Sequence, residues 1–256
     1  MEYPTALTVE DLTRNLAHVR GRIDAAAHRV GRDPAAIRLL PVSKTVPVDR
    51  LRLAVSAGCR QLGENKVQEA ARKHEAMADV EVGWSIIGHL QTNKARDVAA
   101  FADEFQALDS LRVAAALDRR LQTAGRSIDV FVQVNTSGEA SKYGLHPDEL
   151  PAMLGELTAY TSLRVQGLMT LAVFTPDADR VRACFRLLRT LRDRAREDTP
   201  DLIGPGALSM GMSGDYEIAV EEGASVVRVG QAIFGQRSTP DSDYWPTAGA
   251  DPHPPE

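Results

Sequence analysis

A single (β/α)8 barrel of the TIM type, preceded by an extra helix, is the fold class that the sequence predicts. Three observations predict it. Eight short apolar runs are each followed by a stretch of helical periodicity. Many of these runs are apolar at successive rather than alternate positions, as suits strands buried on both faces of a parallel sheet. The chain of 256 residues, 43% hydrophobic and 25% charged, is long enough for one sizeable core. An open doubly wound sheet is the architectural alternative, and the count of eight strands favours the closed form.

The elements follow in order. From Val9 to Val30, Leu12, Leu16, Val19, Ile23, Ala27 and Val30 recur at three- and four-residue spacing, with charged residues between them, which predicts an amphipathic helix. It should end at "GRDP", where Gly31 can take the left-handed cap and Pro34 blocks continuation. The predicted strands are "IRLLPVS" (37–43), "CRQLG" (59–63), "WSIIG" (84–88), "EFQALD" (104–109), "DVFVQVN" (129–135), "RVQGLMT" (164–170), "ALSMGM" (207–212) and "SVVRVG" (225–230). Pro41, inside the first of them, removes one ladder donor. Residues 1–235 read as one domain, and the tail 236–256, rich in Pro, Asp, Ser and Gly without a period, reads as a mobile extension.

Composition excludes several classes of function. A formal net charge of −5 argues against a nucleic-acid binder, whose affinity requires a basic face. No apolar run approaches bilayer-spanning length and the N-terminus lacks signal-peptide order, so no membrane association and a cytoplasmic location are expected. Cys59 and Cys184 stand in unrelated segments without metal-ligand spacing, so neither a disulfide nor a metal site is predicted. A monomer acting on a small molecule is the expectation.

Of 30 basic residues, only Lys44, Lys66, Lys73, Lys94 and Lys142 are lysine. Where arginine supplies generic charge, a retained lysine is of interest, because only the amine can shed its proton near neutral pH and form an imine. Lys44 follows the first strand, at the face where such barrels carry their sites. Burial there should lower its pKa. The loops after strands seven and eight, where these barrels commonly hold phosphate, carry Ser213 and Gly214 before a helix beginning at Asp215, and Gly230 and Gln231 at a short helical turn. Ordinary helix capping by Ser213 is the competing explanation.

A lysine across the mouth from a phosphate cradle suggests pyridoxal phosphate; an ion-paired lysine, or one binding a phosphorylated sugar, fits the same position. Arg228, among valines in the eighth strand, should point inward, toward the ring or phosphate of such a ligand or to a buried carboxylate. Asn65 stands where a loop enters a helix and reads as a cap or a ligand contact; Asp109 as a cap or a support of the site. His89, in "GHLQTNK", has no acid at a recognisable spacing and reads as a satisfied loop histidine.

Together "VSKT", "LGENKVQEA", "IIGHLQTNK", "ALDS", "VNTSGEASKYGL", "GLMT" and "LSMGMSGDYEIAVEEGASVVRVGQAIFG" resemble the pyridoxal phosphate homeostasis protein family, in order over about residues 8–235. The resemblance implies a barrel similar to the N-terminal domain of alanine racemase, with pyridoxal 5′-phosphate held covalently on Lys44 as an internal aldimine. It further implies Asn65 beside the cofactor, Arg228 near its ring, and Ser213, Gly214, Gly230 and Gln231 around its phosphate. Many relatives have Ser or Thr where this chain has Gln231, which leaves the backbone donor there. The resemblance implies a protein that holds and hands over the cofactor rather than one that turns over a substrate, and the expected recipients are amino acids or acceptor enzymes. The rival readings are a slow racemase and a cofactor-free Schiff-base aldolase. Racemisation needs a second acid/base, and none of Tyr3, Tyr143, Tyr160, Tyr216 and Tyr244 stands where spacing would place it over the ring.

Overall fold

The computed structural model describes residues 3–236. Within them the chain runs α1 (Val9–Arg29), β1 (Arg38–Pro41), α2 (Val48–Ser56), β2 (Gln61–Glu64), α3 (Val67–Ala76), β3 (Gly83–Ile86), α4 (Ala95–Phe101), β4 (Glu104–Leu108), α5 (Leu111–Thr123), β5 (Ile128–Gln133), α6 (Leu150–Leu157), β6 (Leu163–Met169), α7 (Ala178–Asp198), β7 (Ala207–Ser209), α8 (Tyr216–Glu221), β8 (Val226–Val229) and α9 (Gln231–Phe234). All recorded strand pairings are parallel, in the order β1-β8-β7-β6-β5-β4-β3-β2. The two ends of that order, β1 and β2, meet at a parallel bridge between Val42 and Gly63, which closes the sheet and rules out the open alternative. Every predicted strand is present, the second starting two residues later than expected because Cys59 packs into the core as the chain leaves α2. The predicted tail lies, beyond Gln236, outside the described residues.

α1 begins with a capping box: Thr8 Oγ1 accepts from Asp11 N (3.1 Å) and Asp11 Oδ2 accepts from Thr8 N (3.3 Å). Arg14 on the same carboxylate, with the Leu7 amide and the bonds to Thr8, holds the Asp11 pKa down at about 2. Leu12, Val19, Ile23, Ala26 and Ala27 form its buried face against α8, α9 and α2. Val30, expected on that face, is instead the exposed C-cap, because the helical period ends one residue before it. Gly31 follows with φ 67°, as anticipated.

The barrel has one seam, between β1 and β2. Arg38 N donates to Ser225 O and Val42 N to Val229 O, so alternation along the strand turns the nitrogen of Pro41 toward β2, where it has no proton to give. Joining of β1 to β2 therefore falls above it, at the Val42–Gly63 bridge and the bond from Ser43 N to Gly63 O (2.9 Å). The join is stapled from outside by Lys73 of α3. Its Nζ donates to Ser43 O (2.8 Å), Glu64 Oε1 (2.7 Å) and Glu69 Oε1 (2.7 Å), while Ser43 Oγ donates to Glu64 Oε1 (2.5 Å). Glu64 is fully buried and Lys73 nearly so. Burial pushes the Glu64 carboxyl above its ordinary range, against the opposing pull of Lys73.

Cys59 and Cys184 are both buried, and desolvation pushes the Cys59 thiol up to about 11. Neither should react with a thiol-exchange reagent at pH 8 until urea unfolds the chain, as followed by the absorbance of the released chromophore. Lys73→Met leaves a buried carboxylate unpaired and should cost about 3–5 kcal/mol of unfolding free energy. The double variant Lys73→Met/Glu64→Leu should cost less than that single one, as measured by urea unfolding.

Candidate functional site at the C-terminal mouth of the barrel

A cavity of about 580 Å³ opens at the C-terminal ends of the strands. Lys44, Asn65, Ser213, Gly214, Arg228, Gly230 and Gln231 all line it, although they come from the ends of four different strands. The barrel brings them together because its parallel strands deliver every following loop to one face.

Lys44 sits in a tight turn. Val46 N donates to Ser43 O (3.0 Å), and Thr45 has φ 66°, a left-handed conformation that is costly for a β-branched residue. Two bonds hold it there: Thr45 N donates to Glu69 Oε1 (2.7 Å) and Thr45 Oγ1 to Lys44 O (2.6 Å). Glu69 is also a partner of Lys73, so the strained turn and the seam staple share one carboxylate oxygen. Lys44 is thereby buried, 8% exposed, on the cavity wall. Pro47 then ends the turn and precedes α2, as its fixed φ requires.

Arg228 points into the barrel, as expected, but not onto a carboxylate. Its Nη1 donates to Ser209 Oγ (2.7 Å) and its Nη2 to Thr170 O (2.8 Å). Ser209 Oγ passes the chain on to Gln106 Oε1 (2.6 Å), and Gln106 Nε2 donates to Glu104 Oε2 (2.6 Å). Glu104 also accepts from Ser85 Oγ (2.6 Å) and Arg38 Nη2 (2.6 Å). A column of hydrogen bonds thus runs through the barrel interior from the cavity floor toward the opposite end. Burial lowers the Arg228 pKa to about 10, opposed by Asp215 and Glu104, so the side chain remains a cation at neutral pH.

Ser213 does not cap the helix that follows it. α8 starts at Tyr216 with Asp215 as its N-cap, one residue later than the sequence suggests, because Asp215 Oδ1 turns back to accept from Met212 N (2.5 Å). Ser213 Oγ instead accepts from Gly230 N (3.2 Å) and Ala232 N (3.5 Å), tying the loop after β7 to the start of α9. A side chain at Gly230 would come within 3.0 Å of the Val42 carbonyl oxygen, whereas one at Gly214 would meet only open space.

The cap reading of Asn65 also fails. Lys66 occupies the N-cap of α3 without a side-chain bond, which leaves Asn65 on the cavity wall, with its backbone packed against Gly88. Ser110, not Asp109, caps α5, its hydroxyl accepting from Val113 N (3.4 Å). Asp109 is freed to meet His89: Nδ1 lies 3.1 Å from Asp109 Oδ2. Tyr143 stacks face-on upon the same imidazole, with centroids 4.0 Å apart and planes 10° from parallel. His89 and Tyr143 both line the cavity. Sequence reasoning missed this cluster, although the signal existed: His89 and Asp109 follow adjacent strands at the same end. Lys142, also on the wall, donates to Ala172 O (2.7 Å) and pairs with Glu139 (2.5 Å). Among the described residues there is no cluster able to hold a metal ion and no helix long and apolar enough to cross a membrane.

Comparison with known proteins agrees with this architecture. The family model described as alanine racemase, N-terminal domain, matches residues 14–238. A pyridoxal phosphate homeostasis protein of Pseudomonas aeruginosa is 41% identical over 227 residues, covering 88% of this chain and 96% of that protein. The structure of PipY from Synechococcus elongatus with PLP bound superposes with a TM-score of 0.78 at 34% identity, covering 88% of this chain and all of that one. Alanine racemase from Streptomyces lavendulae, at 17% identity and TM-score 0.69, shares the fold over 94% of this chain but only 61% of its own length.

Among the glycines that line the cavity, Gly88 has the least space. A Cβ there would lie 2.3 Å from the Asn65 carbonyl oxygen, a contact no rotamer relieves. Gly88→Ala should therefore cost about 1–3 kcal/mol by urea unfolding and displace the Asn65 amide signal in a nitrogen–proton correlation spectrum.

Proposed function

The chain belongs to the alanine racemase N-terminal domain family and, within it, to the pyridoxal phosphate homeostasis proteins, and from that premise we propose that it binds pyridoxal 5′-phosphate, keeps it covalently on Lys44, and yields it to amines. The observation that carries the reading is Lys44 itself, a lysine buried on the cavity wall in a turn strained and braced by Glu69. The other residues suit such a ligand. Ser213 draws two loops into a cup by accepting from the Gly230 and Ala232 amides, which leaves the Gln231 amide and the open backbone at Gly214 to meet an anion. Asn65 supplies an uncommitted amide on the wall between Lys44 and His89.

When bound, the cofactor supplies a reactive aldehyde carbon and, if its ring nitrogen is protonated, an electron sink. Arg228 works against the second property. A permanent cation on the cavity floor, locked by Ser209 and Thr170, disfavours a protonated nitrogen beside it. What remains is reversible capture by an amine, which suits holding and handing over rather than turnover. The recipients we propose are free amino acids and enzymes that need the cofactor.

Borohydride reduction followed by peptide mass spectrometry tests the linkage. The mass increment should fall on the peptide containing Lys44, and Lys44→Ala should abolish the visible absorbance band of the loaded protein. An increment confined to Lys66 or Lys142, or none, would overturn the assignment.

A further inference from the structure

Exchange of the cofactor with an amino acid raises a protonation problem that Lys44 does not solve. An amino acid near pH 7 carries an ammonium group with no lone pair to attack with. The proton must leave before the new bond forms, and a group placed within reach speeds that step. We propose that His89, oriented by Asp109 and clamped by Tyr143, takes this proton, so that the protein is built for release to amino acids. The inference rests on the binding reading above.

The geometry supplies each requirement. The Asp109 side chain is only 7% exposed and its carboxylate meets Nδ1 of the ring. As an acceptor-only carboxylate it keeps the proton on Nδ1, which leaves the lone pair on Nε2. The face-on stack with Tyr143 fixes the plane of the imidazole, and the His89 side chain retains 25% exposure, enough for an incoming amine to reach it. Both rings share the cavity wall with Lys44. The charged and titratable groups around the ring are Asp109 from the end of β4, Tyr143 and Lys142 from the loop after β5, and Lys66, Lys44, Arg228 and Asp215 elsewhere on the wall. Lys142 is committed to Glu139 and the Ala172 carbonyl, and Asp215 to the Met212 amide, whereas His89 has one ring nitrogen held by Asp109 and the other left to act as the base.

The step balances without any co-reactant. One proton passes from the incoming ammonium to Nε2. The freed lone pair bonds to the carbon that Lys44 holds through a protonated C=N bond, whose π pair moves onto Nζ. A second proton shifts from the incoming nitrogen to Nζ while both are attached. The remaining bond from the carbon to Nζ then breaks, its electron pair leaving with Nζ while the incoming nitrogen's lone pair forms the new C=N bond, and the proton on Nε2 passes to the departing amine, which becomes the ammonium.

Two measurements decide the matter. In the cofactor-free protein, nitrogen–proton correlation spectra of the imidazole should show the Nδ1–H tautomer of His89, and Asp109→Asn should disturb it. A wild-type Nε2–H tautomer would overturn the proposal. In the loaded protein, stopped-flow absorbance compares release by alanine with release by methoxyamine, whose nitrogen is already neutral at pH 7. His89→Gln should slow release by alanine by roughly 10²-fold, flatten the corresponding limb of its pH profile, and leave release by methoxyamine within about twofold. Equal slowing of both would make His89 a mere wall of the cavity, and slowing of neither would remove it from the exchange. Failure of the wild-type protein to take up cofactor on Lys44 is seen at loading, before any exchange is measured, and is thereby distinguished from failure of the histidine.

Discussion

The buried ion pair between Lys73 and Glu64 is the interaction on which the rest depends. The barrel is weakest where Pro41 faces β2 without a donor, and closure there relies on a few bonds around Ser43. Lys73 reaches across from α3 to the Ser43 carbonyl and shares Glu69 with the Thr45 amide, so one ammonium group closes the barrel and braces the turn that carries Lys44. A pair so deeply buried contributes little net stability relative to apolar packing, since desolvation offsets the attraction. Its effect lies in geometry. An apolar substitute could fill the volume but could not donate to three oxygens at once.

A second polar system runs inside the barrel. Interiors of this fold are normally packed with branched apolar side chains, yet here Arg228, Ser209, Gln106, Glu104, Ser85 and Arg38 form a continuous hydrogen-bonded column. Burying these groups is tolerable because each is satisfied by the next. The consequence at the mouth is a cation held rigidly at the cavity floor. In the function proposed above, restraint of the cofactor's chemistry is a property of the core, while its capture and release fall to Lys44 and His89 on the rim.

Legibility followed the range of the interaction. The amphipathic face of α1, the stop at Gly31 and Pro34, and the succession of strands are local, and each could be read from spacing. Arg228 was legible as inward-facing because an arginine between valines has no inexpensive alternative, but its partners were not, since Ser209 and Thr170 lie on other strands. Capping was the weakest guide. Ser213, Asn65 and Asp109 are residue types that favour helix starts, and none of them caps the helix beside it. In each case a bond across the barrel mouth, or a place on the cavity wall, displaced the local preference.

By itself, then, the sequence determined the strand count and the position of Lys44 at the end of the first strand, and it favoured a closed parallel barrel over an open sheet, because those follow from periodicity and chain order. Motif resemblance carried the cofactor. Only the tertiary structure decided what surrounds that lysine: the strained Thr45 turn on Glu69, the stapling of the seam by Lys73, and the meeting of His89 with Asp109 and Tyr143. The physical reason is sequence separation. His89 and Asp109 stand 20 residues apart, a distance with no meaning along the chain, and become neighbours when parallel strands bring successive loops to one rim.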